Sequence, residues 1–182
     1  MQKLVLDGVT LVAVDTRSPG MAAQALRRSM AQVRFARALL LTHGADPALG
    51  GDGLDLVDIG PITSAAAYSH FVLHRLLPHV HTPHVLVTQW DGFVRDATAW
   101  RDEFLQYDYL GAPWHDQPAG LSVGNGGFSL RSRRLLEATA AVQWPDEHPE
   151  DEALCRTHRA EMEATGLRFA PPELARRFAF EN

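Results

Sequence analysis

The chain carries a single cysteine, Cys155. No disulfide can form within it, and no zinc site built on cysteine thiolates is available. No apolar run approaches the roughly 20 residues of a membrane-spanning helix. No basic segment followed by an apolar one opens the chain, so the expected compartment is the cytoplasm. The formal net charge is -5, which excludes a general attraction to nucleic acid or to an anionic membrane. No repeat and no low-complexity segment occurs. Several catalytic signatures are missing as well. Ser122, Ser129 and Ser132 lie near glycines, but none sits in a Gly-x-Ser-x-Gly elbow. There is no Gly-x-x-x-x-Gly-Lys-Ser/Thr phosphate loop, and Gly124-x-Gly126 lacks the third glycine of a dinucleotide fingerprint.

What remains is an ordinary globular composition. The 182 residues are 46% hydrophobic, enough for one domain, residues 1–182, with a proper core. Apolar runs rich in branched residues predict strands at Leu4–Leu6, Val9–Val14, Arg37–Leu41, Leu54–Ile59 and Val85–Thr88. Tyr107–Leu110 reads as short and extended, and Leu167–Ala170 as a last strand stopped by Pro171-Pro172. Helices are expected at Met21–Met30, opened by Ser18-Pro19, and from a Thr63 or Ser64 cap to about Leu77. Further helical segments are Ala97–Phe104, Arg131–Ala141 and about Glu150–Thr165, the last preceded by Pro149. Asp46–Gly53 reads as a polar loop. Cys155 falls inside a helix and reads as a small buried hydrophobe. The alternation of strands and helices predicts an α/β fold with a largely parallel sheet covered on both faces.

Chemistry-bearing residues concentrate in the second half. Between Gly124 and Phe128 three glycines and Asn125 interrupt an extended run. Glycine inside a strand marks a bulge or a place where something approaches the backbone. Upstream, the strand Val85–Thr88 ends in Gln89-Trp90-Asp91-Gly92. In an open α/β sheet, ligands bind beyond the carboxyl ends of the strands. If the chain stays extended there, period two puts Gln89 and Asp91 on one side. One carboxylate and one amide oxygen suit a hard cation such as magnesium or manganese. The plain alternative is an Asp-Gly turn, with the carboxylate bonded to its own backbone.

Downstream stands Glu150-Asp151-Glu152. Acids in a first helical turn are favoured by the macrodipole, and that alone explains them; a general base is the functional alternative. Arg131, Arg133, Arg134, Arg176 and Arg177 read as solvated helix faces, with Arg131, nearest the glycines, the best candidate for a phosphate contact. His70 and His74 share a helix face, and His79, His81 and His84 follow. With no acid between the first two, they read as solvated or core-edge residues. Trp90, Tyr107, Tyr109 and Trp114 read mostly as core, and Trp114 is the candidate for stacking on a sugar.

Four strings together resemble a known family. They are Gln89-Trp90-Asp91-Gly92-Phe93; Trp100-x-x-Glu103-Phe104-x-x-Tyr107-Asp108-Tyr109-Leu110-Gly111-Ala112-Pro113-Trp114; Val123-Gly-Asn-Gly-Gly-Phe-Ser-Leu-Arg131-Ser132; and Pro149-Glu150-Asp151. They resemble a bacterial domain of unknown function that is classed as glycosyltransferase-like, over roughly residues 55–182. That family in turn resembles the GT-A glycosyltransferases, which implies a GT-A-like, Rossmann-like α/β fold. In GT-A enzymes an Asp-x-Asp motif after a central strand holds a divalent metal and the donor diphosphate. Asp91 matches the second acid, and Gln89 stands where the first would be. The resemblance puts Asn125, Gly126 and Gly127 along the donor-sugar and acceptor pocket. It makes Glu150 or Asp151 the base, Asp151 by preference. It sets Asp15, Thr16 and Arg17, at the end of the first strand, against the nucleotide base and ribose.

The function this implies is metal-assisted transfer of a sugar from a nucleotide-diphosphate sugar to a hydroxyl on a glycan, a lipid-linked acceptor or a small molecule. The cation, manganese or magnesium, and Arg131 would offset charge on the leaving diphosphate, with Trp114 against the sugar. The chain is short for such an enzyme, so a protein partner is a further expectation. The alternative is a catalytically degenerate module that binds a nucleotide or a sugar, favoured by Gln89 in place of an acid.

Overall fold

In a computed structural model, residues 3–114 and 117–180 are described. Six strands form one sheet in the order β3-β2-β1-β4-β6-β5. They are β1 (Leu4–Val14), β2 (Val33–Thr42), β3 (Leu54–Asp58), β4 (His84–Thr88), β5 (Tyr109–Gly111) and β6 (Phe128–Ser132). β1 to β4 run parallel. β6 is antiparallel to both β4 and β5. The helices are α1 (Pro19–Gln32), α2 (Ala65–His74), α3 (Arg133–Ala141), α4 (Glu150–Glu152), α5 (Arg159–Ala164) and α6 (Pro172–Phe178). The expected α/β class and mostly parallel sheet are what the chain adopts.

Both faces of the sheet are covered, and side chains alternate between them along each strand. On one face Leu11, Ala13, Leu40, Leu86 and Leu130 meet Ala22 and Leu26 of α1 and Leu174 of α6. On the other, Val12, Val14, Leu39, Leu41, Val85 and Val87 meet Val72 of α2, Leu76 just beyond it, and Leu136 of α3. A third cluster joins Tyr109, Leu135, Trp144, Leu154, Cys155 and Met162. Cys155 is fully buried, and that burial pushes its thiol pKa well above the usual value. Among the described residues no helix is long and apolar enough to cross a membrane.

Several local expectations change. The two runs before Asp15 form one strand. Its register against β2 jumps from Leu6↔Phe35 to Thr10↔Arg37, so Asp7-Gly8 is a bulge and not a break. β2 starts directly after α1, because Arg34 and Arg37 occupy exposed positions and break the apolar pattern while their backbone still pairs. α2 ends at His74, and a 3-10 turn at Leu77–His79 follows, since Pro78 cannot supply a helical N–H. In place of the helix expected at 97–104 stand two 3-10 turns, Ala97–Ala99 and Asp102–Gln106, with Trp100 and Arg101 between them. Arg131 belongs to β6, and α3 begins one cap later, where the Ser132 hydroxyl accepts from Leu135 N at 3.0 Å.

The helix expected from Glu150 is broken by a π turn at Ala153–Thr157, a distortion frequent at functional sites. Leu167–Ala170 makes only the single bridge Phe169↔Tyr109. That pairing stops at Ala170, before Pro171, and Pro172 also opens α6, with Glu173 in its first turn and Arg176 and Arg177 in its last. Proline is well placed at a first helical position, and these charges complement the macrodipole.

Candidate functional site

The strand order reverses between β1 and β4, so the chain leaves β1 to one side and enters β4 on the other. A crevice forms at the carboxyl ends of strands at such a switch point. β1 ends there in Asp15, β4 in Gln89, and antiparallel β6 begins there after the glycines, with Phe128 opposite Thr88. Three segments far apart in sequence are thereby brought to one edge of the sheet.

The glycines are closely surrounded. A Cβ on Gly124 would run into the six-membered ring of Trp114. One on Gly126 would lie 2.5 Å from Glu150 Oε1 and 3.1 Å from Asp151 Cβ, and one on Gly127 3.1 Å from Gln89 Oε1. The space each side chain would fill is occupied by another candidate residue. The backbone is approached closely, as glycine predicts, but the approaching groups are Trp114, the acid pair and Gln89. Hydrogen bonds tie the same parts together. Gly126 N donates to Asp151 Oδ2 at 3.0 Å, Gly127 N to Asn125 Oδ1 at 2.9 Å, and Gln89 N to Gly127 O at 2.9 Å.

Glu150 and Asp151 are adjacent but differently placed. Glu150 is buried, and its Oε1 accepts from Arg131 Nη2 at 3.1 Å. Asp151 is half-buried; its Oδ1 accepts from Glu152 N at 2.9 Å. Each Asp151 oxygen keeps lone-pair capacity beyond that one backbone bond.

Arg131 corrects an expectation. The sequence offers a solvated helix face, with a phosphate contact as the alternative. Arg131 is 1% exposed, held by the Ser129 hydroxyl at 2.9 Å, by Glu150, and by the face of the Tyr109 ring at 5.3 Å. Its charge is paired inside the protein, so the phosphate reading does not survive the burial.

The turn after β4 corrects another. Gly92 N donates to Gln89 O at 3.1 Å, closing a turn where an extended chain was the premise for one shared side. Gln89 Nε2 donates to the Tyr68 hydroxyl on α2 at 3.3 Å. Exposed Asp91 instead lines a groove of about 280 Å³ with Trp90 and with Met21 and Arg28 of α1. The Asp91 carboxylate suits a hard cation in kind, with the remaining positions left to diphosphate and water; the turn directs the Gln89 side chain away from it, to α2.

At the end of β1, Asp15 Oδ1 accepts from Arg17 N at 2.8 Å and from Ser18 N at 2.7 Å, shaping the entry to α1. The Thr16 hydroxyl donates to Ile62 O and accepts from Ile62 N, both at 3.1 Å. Those polar atoms already serve the fold, while Arg17 is exposed.

Tyr68 escaped the sequence reading because it sits in an apolar helical stripe. Burial, reinforced by Glu150, pushes its phenol up to about 12, so it stays a neutral donor and acceptor beside Gln89. Tyr109 lies deeper. Burial raises its pKa well above the usual value, and its hydroxyl donates to Gly124 O. His70 and His74 were expected to be solvated or at the core edge; both contact Glu147 of the loop after α3. Burial alone would raise the Glu147 pKa, but those hydrogen bonds outweigh it and lower it.

Residues 54–182 match the model of a family described as a protein of unknown function, DUF5672. The chain belongs to the DUF5672 family. No curated protein matches the chain significantly. Among solved structures, it is similar to a mannosyltransferase, PcManGT from Pyrobaculum calidifontis, in complex with GDP-Man and Mn2+. The TM-score is 0.57 at 14% identity, over 91% of this chain and 54% of the other. The galactosyltransferase LgtC with donor and acceptor sugar analogues gives 0.51 at 15% identity, over 85% and 78%. The apo glycosyltransferase GlyE of Streptococcus pneumoniae TIGR4 gives 0.50 at 14% identity, over 88% and 44%. The chain thus spans about half the length of PcManGT and less of GlyE. This DUF5672 chain has a GT-A-like fold, as the resemblance implied.

Proposed function

We propose that this DUF5672 chain is the nucleotide-sugar-binding core of a GT-A glycosyltransferase, read as one domain. The observation that carries the proposal is Asp151, a half-buried carboxylate bonded to the Gly126 N–H at the switch-point edge of the sheet. A general base must lie within hydrogen-bond reach of the hydroxyl it deprotonates. Asp151 takes the acceptor proton as the acceptor oxygen bonds to the anomeric carbon and the bond from that carbon to the diphosphate breaks. Gly126 N–H keeps the carboxylate aimed. Glu150, committed to Arg131, holds α4 in place. Asp91, at the turn after β4, would hold a manganese or magnesium ion, which when bound offsets charge on the leaving diphosphate, while the Gln89 side chain is taken up by Tyr68. Asp15, Thr16 and Arg17 border the nucleotide side, and the exposed part of Trp114 borders the sugar.

The second reading is a binding module without transfer, supported by Gln89 where an acid would strengthen metal binding. Two variants separate the readings. Asp151→Asn should retain donor binding in calorimetry and lose transfer by about 10²-fold or more. Asp91→Ala should lose manganese-dependent donor binding. Normal turnover by both variants would sink the catalytic assignment. Binding without any donor hydrolysis or transfer in the unaltered protein would select the module.

A further inference from the structure

Helix α2 carries His70 and His74 one turn apart on a single face, with ring centroids 4.8 Å from each other and planes tilted by 45°. The segment between α3 and α4 crosses over them. It sets Glu147 Oε2 at 3.1 Å from His70 Nδ1 and Glu147 Oε1 at 2.7 Å from His74 Nε2. The donor atoms of the three residues all lie within 4.8 Å of one another. We propose that His70, His74 and Glu147 bind a divalent transition-metal ion, Zn2+ by the chemistry of the set.

Two imidazole nitrogens and one carboxylate oxygen form a borderline donor set. It suits zinc and its first-row neighbours, whereas magnesium and calcium take oxygen. Zinc bonds to such donors at about 2.0–2.2 Å. In a tetrahedral site this spaces neighbouring donors about 3.3–3.6 Å apart, given those bond lengths. The separations of 3.1 and 2.7 Å run from the two Glu147 oxygens, and from a widest donor separation of up to 4.8 Å ligation would draw the three side chains together by about 1–1.5 Å. Each imidazole would bind through the nitrogen now facing Glu147 and carry its proton on the other. The His70 side chain is 59% exposed, whereas those of His74 and Glu147 are 10% and 20% exposed. An open cavity of about 380 Å³, bordered by Ala66 and Trp144–His148, adjoins Glu147. It gives an ion a way in and leaves room for water at the remaining positions.

The ion's place in the fold gives it a consequence. The Ser69 hydroxyl, next to His70, bonds His148 Nδ1 at 2.9 Å and accepts from Glu150 N at 3.2 Å. An ion on Glu147 would clamp to α2 the segment that enters α4, and α4 carries Glu150 and Asp151. This site is separate from Asp91, and the inference does not rest on the glycosyltransferase reading.

The test uses chelator-treated full chain, titrated calorimetrically with Zn2+ and, in parallel, with Mg2+. Co2+ replaces Zn2+ for visible spectroscopy. One Zn2+ per chain is expected, with no Mg2+ heat that Glu147→Gln removes, and the d–d absorption of four- or five-coordinate Co2+. Loss of even a second-shell partner costs zinc sites about 10–100-fold, so Glu147→Gln and His74→Ala should each weaken Zn2+ binding at least tenfold. His70→Ala, at the exposed end of the set, should do the same without disturbing the fold. Binding of Zn2+ should raise the melting temperature of the unaltered chain and not that of His70→Ala. Absence of stoichiometric Zn2+ binding overturns the proposal. So does unchanged affinity in His70→Ala and Glu147→Gln, which would put the ion on other histidines.

Discussion

Replacing Arg131 with methionine is expected to destabilise the chain by about 3–5 kcal/mol in denaturant unfolding. The guanidinium and the Glu150 carboxylate are 1% and 7% exposed, so removal of the cation leaves Glu150 buried without its charge partner. Breaking a buried pair costs far more than the pair contributes over an apolar replacement. The double variant Arg131→Met with Glu150→Leu should therefore recover much of the loss, and the coupling between the positions should exceed about 1 kcal/mol. A single-variant loss below about 1 kcal/mol would mean that Arg131 reaches solvent, and would restore its reading as a phosphate ligand.

Gly111→Ala carries the second large effect. A Cβ at Gly111 would sit 2.5 Å from the backbone oxygen of Asn125 and 3.2 Å from that of Gly124. No flexible side chain can yield there; β5 or the glycine segment itself must move. Overpacking of this kind costs about 1–3 kcal/mol, and the displaced segment holds Asn125, Gly126 and Gly127. Gly20→Ala is the matched control. Its Cβ would meet nothing within 4 Å, and in α1 the change should be neutral or stabilising by up to about 1 kcal/mol. Equal stability of the two variants would contradict the close approach of β5 to the glycines.

The strands that form the switch point were legible because β1 and β4 are apolar on both faces, which is how a central parallel strand reads. The four strings that carry the family resemblance fall at the end of β4, on and around β5 and β6, and at α4. Those strings were more informative than the periodicity of the region itself. Other features depended on tertiary partners. Arg131 sits in a cluster of arginines that resembles a solvated helix face, and only the burial of Glu150 and Tyr109 beside it turns it inward. Gln89-Trp90-Asp91 alternates like a strand, while a bond from Gly92 N to Gln89 O makes it a turn. His70 and His74 lacked an acid in sequence, because Glu147 arrives from a segment more than seventy residues downstream. α6 was hidden by Pro171-Pro172, a pair that can end one element or open the next.

On the proposed function, the edge of the sheet where β1 and β4 end and β6 begins receives a nucleotide-diphosphate sugar. At 20.1 kDa the chain is small enough for amide-resolved NMR, titrated with guanosine and uridine diphosphate sugars in the presence of Mg2+. Saturable shifts are expected at Asp15–Arg17, Gln89–Gly92, Asn125–Gly127 and Asp151, with Mn2+ broadening centred on Asp91. Shifts gathered at the opposite ends of the strands, or no shift at any of these amides across the donors, would contradict it.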